Sequence, residues 1–85
     1  MRVRRKNYYV YILKSINVPN KSYVGLTKDV ERRLMEHNSK TQTYTKRYAP
    51  WRLETHVVFS EKSRAVAFEK YLKTGSGKSF INKHF

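Results

Sequence analysis

The chain has 85 residues, room for one small domain. Hydrophobic residues make up 39% and there is no cysteine, so neither a disulfide framework nor a cysteine-based zinc site supplies stability. Nineteen Lys and Arg against 6 Asp and Glu leave a net charge of +13, far beyond what solubility needs, which points to a polyanionic partner.

Nucleic acid is the first candidate partner and an anionic membrane surface the second. No apolar run approaches the roughly 18 residues that a membrane span requires. Residues 1–7 are basic but lack the apolar segment and cleavage site of a signal peptide, so they read as a basic arm and the cytoplasm is the expected location. The domain proper is expected over 8–85. The three histidines, His37, His56 and His84, are widely spaced, and none forms an i, i+4 pair with another ligand type that would suggest a metal cage.

Residues 8–15, YYVYILKS, are aromatic and β-branched and too short for a typical helix. They predict a strand with Tyr9, Tyr11 and Leu13 on one face and Tyr8, Val10 and Ile12 on the other. Both faces are apolar, which predicts a central strand covered on both sides. Pro19-Asn20 marks a turn, and 21–26 predict a second, antiparallel strand. Gly25 near its end allows a bend or the close approach of another group.

A helix is expected over 29–38, capped by Thr27 or Asp29, with acidic Asp29 and Glu31 at its positive end. At 100° per residue, Val30, Leu34 and His37 form one stripe with Arg33 beside it, while Arg32 points away. Residues 39–49 show no clear period and read as a loop. In it Lys40, Lys46 and Arg47 alternate with Tyr44 and Tyr48, a pattern suited to phosphate contact and base stacking, or to a solvated loop with two packed tyrosines.

Residues 51–59, WRLETHVVF, predict a third strand, with Trp51, Leu53, Thr55, Val57 and Phe59 on one buried face and His56 on the polar one. Ser60 can cap a helix over 61–74 whose apolar stripe is Ala65, Phe68 and Leu72. Glu69 lies at the margin of that stripe, where a carboxylate is costly unless paired or bound to a cation. Gly75-Ser76-Gly77 stop this helix, and 78–85 predict a final turn or short helix. Gly77-Lys78-Ser79 is no P-loop: its required first glycine falls on Leu72 and no strand precedes it.

The chain therefore predicts an α+β fold, a small three-stranded antiparallel sheet flanked by helices. Tyr11 and Tyr23 stand on neighbouring strands, the first helix brings Arg33 and His37 to them, and Glu69 completes the group. These are the parts a phosphodiester hydrolase uses. Tyr11 or Tyr23 would take a proton from water, with the Arg33 cation favouring the phenolate. Arg33 would also clasp phosphate oxygens, and His37 would share the proton work or hold a phosphate.

Tyr9-Val10-Tyr11 and Tyr23-Val24-Gly25, followed by Arg33 ten residues after Tyr23, then His37 and Glu69, resemble the motifs of the GIY-YIG nuclease family, in particular its small stand-alone members. Tyr9 replaces the glycine of the first motif. Leu26 stands where several members carry a lysine, with Lys28 the nearest substitute, and Asn82 stands near the family's late asparagine. The resemblance implies a metal-dependent endonuclease acting on nucleic acid, DNA before RNA. It implies Tyr11, Tyr23, Arg33, His37 and Glu69 as the catalytic set. Glu69 would hold one Mg²⁺ or Mn²⁺, and Lys28, Lys40, Tyr44, Lys46, Arg47 and Asn82 would contact nucleic acid. The alternative is a nucleic-acid-binding module with a weak or lost site.

Overall fold

The computed structural model of the chain describes residues 7–39 and 43–85. The basic arm over 1–6 and Lys40 lie outside the described residues, as does the side chain of Tyr44. Strands β1 (Tyr8–Ser15), β2 (Ser22–Thr27) and β3 (Trp51–Phe59) form one antiparallel sheet in the order β2-β1-β3. The apolar strand is central, as its two apolar faces require. Helices α1 (Val30–Asn38) and α2 (Thr43–Tyr48) precede β3; α3 (Lys62–Leu72) and α4 (Gly75–His84) follow it. Among the described residues no helix is long and apolar enough to cross a membrane.

The two faces of β1 feed two cores. Val10 and Ile12 pack with Val24, Ala65, Leu72 and Ile81 beneath α3 and α4. Tyr11 and Leu13 pack with Trp51, Tyr23, Val30 and Leu34 beneath α1. Asp29 caps α1 by accepting from the Arg32 amide, and Arg33 is turned inward, its side chain 26% exposed against 69% for Arg32.

Three expectations need correction. The stretch 39–49 is not all loop, because 43–48 form α2. The inward turn of Thr45, wholly buried, and the docking of Trp51 against its carbonyl hold that short helix, and neither contact leaves a periodic signal. The third strand does not present one continuous apolar face. Its register with β1 shifts between Ile12 and Leu13, so Ile12 meets Thr55 while Leu13 meets Leu53. The extra residue reverses the alternation, as a bulge does. Trp51 and Leu53 join the α1 core, and Phe59 joins the α3 core. His56 is exposed, as expected, and stands across from Tyr11. Finally, Gly75-Ser76-Gly77 end α3 by opening α4: Thr74 caps α4 through the Gly77 amide. Gly77 lies against the α3 backbone at Tyr71 and Leu72, where a side chain has no room.

Asn38 closes α1 onto β3. Its amide donates to the Trp51 carbonyl at 3.0 Å and its oxygen accepts from the Trp51 amide. Replacing Asn38 by Ala should remove both bonds at the first residue of the strand. The expected loss is about 2 kcal/mol in urea denaturation. Lys62→Ala, on the exposed start of α3, should stay within about 0.5 kcal/mol.

Candidate active site

The site is built across β2. Tyr11 pairs with Gly25 in the sheet, and the Tyr11 ring lies directly over it; a β-carbon at position 25 would collide with the phenol. Gly25 is thus required for space, and the described glycines have no positive φ. Because β2 is an edge strand, this places the Tyr11 hydroxyl over the rim of the sheet.

Four of the expected residues converge there. The Tyr11 hydroxyl lies 3.0 Å from His37 Nε2, and Arg33 lies within hydrogen-bonding reach of the same hydroxyl. The Tyr23 ring stands 4.7 Å from the His37 ring and 6.3 Å from the Tyr11 ring, centre to centre. Glu69 approaches from α3, and its negative charge acts on Tyr11. Its side chain is 20% exposed and meets Lys73 at 3.2 Å. Arg33 pairs with Glu36, and not with Asp29.

Thr45 was invisible to sequence patterning. Its hydroxyl lies 2.9 Å from His37 Nδ1, so both nitrogens of a fully buried imidazole are engaged. The hydrogen-bond directions follow from the chemistry of the groups. Arg33 is a cation with donors only, so the phenol oxygen turns its lone pairs toward that charge and its proton away. The buried Tyr11 proton then needs an acceptor, which is His37 Nε2. That leaves the proton of a neutral His37 on Nδ1, donated to Thr45 Oγ1. Tyr11, His37 and Thr45 form one chain running in one direction, with the Arg33 charge beside its head.

The charge states differ from the sequence expectation. Burial raises the Tyr11 pKa more than Arg33 lowers it, so the phenol is neutral at rest. Burial and then the Arg33 charge lower the His37 pKa, so His37 is neutral. The cationic member is Arg33, which the Tyr11 and Glu36 bonds hold in its charged form.

The expected nucleic-acid contacts are spread more widely. Lys28 is exposed and stacks over Tyr8 at 5.3 Å. Lys46 and Arg47 are exposed on α2, with Arg47 over Tyr48 at 5.8 Å. Asn82 is exposed on α4.

The model of the GIY-YIG catalytic domain matches residues 7–83. A UPF0213 protein of Bacillus pumilus is 36% identical over 77 residues, which cover 89% of this chain and 76% of that protein. A structure-specific endonuclease subunit SLX1 of Malassezia globosa is 38% identical over 66 residues, which cover 73% of this chain and 15% of that much longer protein. The solution structure of the UPF0213 protein BH0048 from Bacillus halodurans aligns with a TM-score of 0.55 at 34% identity, over 91% of this chain and 83% of that one.

Two outcomes test the buried chain. The depressed pKa of His37 means that the unfolded chain binds its proton more readily. Stability from this residue is complete above pH 6.5, the unfolded value, and declines as pH falls below it. The thermal midpoint of the wild type should fall between pH 7 and pH 5, and His37→Gln should flatten that slope. Thr45→Val removes the acceptor for Nδ1–H and should cost about 1–3 kcal/mol in urea denaturation, whereas Thr45→Ser should cost about 1 kcal/mol for its methyl group. Imidazole nitrogen shifts in NMR should report Nδ1–H in the wild type and Thr45→Ser, and Nε2–H in Thr45→Val.

Proposed function

The chain belongs to the GIY-YIG family, and on that premise we propose that it is a divalent-metal-dependent endonuclease that hydrolyses phosphodiester bonds of nucleic acid, with DNA as its substrate. The observation that carries the reading is the meeting of Tyr11, Tyr23, Arg33 and His37 at the β2 rim, within the field of Glu69. The net charge of +13 supports a polyanionic substrate.

The donor set fits a hard divalent ion held by one protein ligand. Among the described residues no group of three or more His, Cys, Asp and Glu could form a metal cage. Mg²⁺ keeps several waters and commonly binds through one or two carboxylates plus substrate phosphates. Glu69 is that carboxylate, and the exposed Lys73 ammonium must move aside for it. His37 is excluded as a ligand because both ring nitrogens are occupied. Bound at Glu69, Mg²⁺ or Mn²⁺ would supply positive charge that neutralises the phosphate and the departing oxygen.

Tyr11 is the general base in this reading. Its oxygen lies 3.0 Å from His37 Nε2 and in the field of the Arg33 cation. Water attacks phosphorus, its proton passes to the Tyr11 phenolate, and the bond to the leaving oxygen breaks. The phenolate is a minor species because burial favours the phenol. Arg33 stabilises it, and Arg33 can also donate to a phosphate oxygen. His37 fixes the phenol orientation and offers its Nε2 lone pair to the phenol proton. Tyr23 limits the position of the substrate beside them.

A nicking assay on supercoiled plasmid, run in Mg²⁺, Mn²⁺ or EDTA, tests this. The wild type should cut only with metal. Glu69→Gln, Arg33→Ala and Tyr11→Phe should each lose at least about a hundredfold. Cutting that survives Glu69→Gln would overturn the assignment. Below the raised Tyr11 pKa the phenolate fraction grows tenfold per pH unit. The wild-type rate should therefore climb from pH 7 into the alkaline range.

A further inference from the structure

The outer edge of β2 carries a trough that meets the catalytic group only at Tyr23. Its upper part is a cavity of about 330 Å³ lined by Ser22, Tyr23, Val24, Leu72, Lys73, Lys78 and Ile81. Its lower part, of about 190 Å³, is lined by Asn20, Lys21, Ser22, Lys78 and Asn82. Ser22 and Lys78 line both, so the two form one trough along the strand.

We propose that this trough binds the single nucleic-acid strand leaving the scissile phosphate, so that the substrate is unpaired on that side. The inference rests on the nuclease reading and extends it to the form of the substrate.

Three observations support it. The trough begins at the site: Tyr23 lines its head, and Lys73 is both a lining residue and the partner of Glu69. The chemistry of the walls also matches. Val24, Leu72 and Ile81 are buried apolar residues that give the upper part an apolar floor. Lys78 lines both parts, Lys73 reaches from the head to Glu69 at 3.2 Å, and Lys21 lines the lower part with its ammonium over the Tyr48 ring at 5.4 Å; Ser22, Asn20 and Asn82 supply hydrogen-bonding groups, and no lining residue is acidic. An apolar floor suits a sugar or base, and a cationic rim suits the phosphates on either side of it. Finally, the trough lies between an edge strand and the start of α4, and a cavity of this size accepts a nucleotide unit but not a second strand.

Binding in EDTA, where cutting is absent, separates this proposal from the activity. The probe is a short labelled oligothymidylate followed by fluorescence anisotropy across a salt series. The trough variant Lys21→Ala/Lys78→Ala is compared with Lys62→Ala/Lys70→Ala, which removes the same charge from exposed positions of α3. The trough variant should bind about tenfold more weakly, with a log–log salt slope shallower by about 1.4, as for two lost phosphate contacts to a single strand. The α3 variant should lose less than about threefold. Equal losses in both would overturn the trough and leave only overall charge. Tighter binding of the same sequence as a duplex, with equal sensitivity to the trough variant, would overturn the single-strand assignment. Displacement of the oligonucleotide by poly-glutamate at equal concentration would reassign the trough to acidic peptides. If the wild type cuts plasmid while the trough variant binds and cuts like it, the trough fails and the nuclease reading stands. If the trough variant alone loses binding and the wild type never cuts, the trough stands and the nuclease reading fails.

Discussion

The structure depends on one buried contact, the Tyr11 hydroxyl against His37 Nε2. It joins the central strand to α1 across the edge strand, and it is possible only because position 25 has no side chain. Thr45 closes the far side of the imidazole, so α2 is tied to the same chain of bonds. Each of these groups is polar and buried, and each has a partner. Loss of any one strands the next in a low-dielectric interior, where an unmade bond costs more than a made one contributes.

Burial also sets the chemistry. A tyrosine beside an arginine in water would give up its proton more easily. Here desolvation outweighs the arginine, and the phenol is held neutral. The histidine is likewise held neutral by the same burial and by the same arginine. A neutral pair with one well-placed cation can wait in a protein that repels no polyanion.

The chain has few acids, and most serve local structure. Asp29 caps α1, Glu36 steadies Arg33 and Arg32, Glu54 pairs with Arg52, and Glu61 pairs with Arg64. Glu69 is the one whose charge reaches Tyr11. Its lysine neighbour sits at the head of a cationic trough, so the excess charge of the molecule is organised along the rim of β2 as well as spread over the surface.

The sequence by itself determined the three strands, the helix after the second and the helices after the third, in their order. Strand and helix periods are local properties, so YYVYILKS announced a central strand, and the stripe of Val30, Leu34 and His37 separated Arg33 from Arg32. The spacing of Tyr11, Tyr23, Arg33 and His37 announced that these four side chains would meet, as they do at the rim of β2. Tertiary structure alone decided four things. It decided the bulge that splits β3 between two cores, because a single inserted residue reverses the alternation without changing composition. It decided that residues 43–48 are helical, because that turn is held by contacts of Thr45 and Trp51 with distant partners. It decided the protonation of Tyr11 and His37, because desolvation is a sum over everything packed around a group. It also assembled the trough from residues around the start of β2, the end of α3 and α4, which come together only when the sheet and the last two helices close on each other.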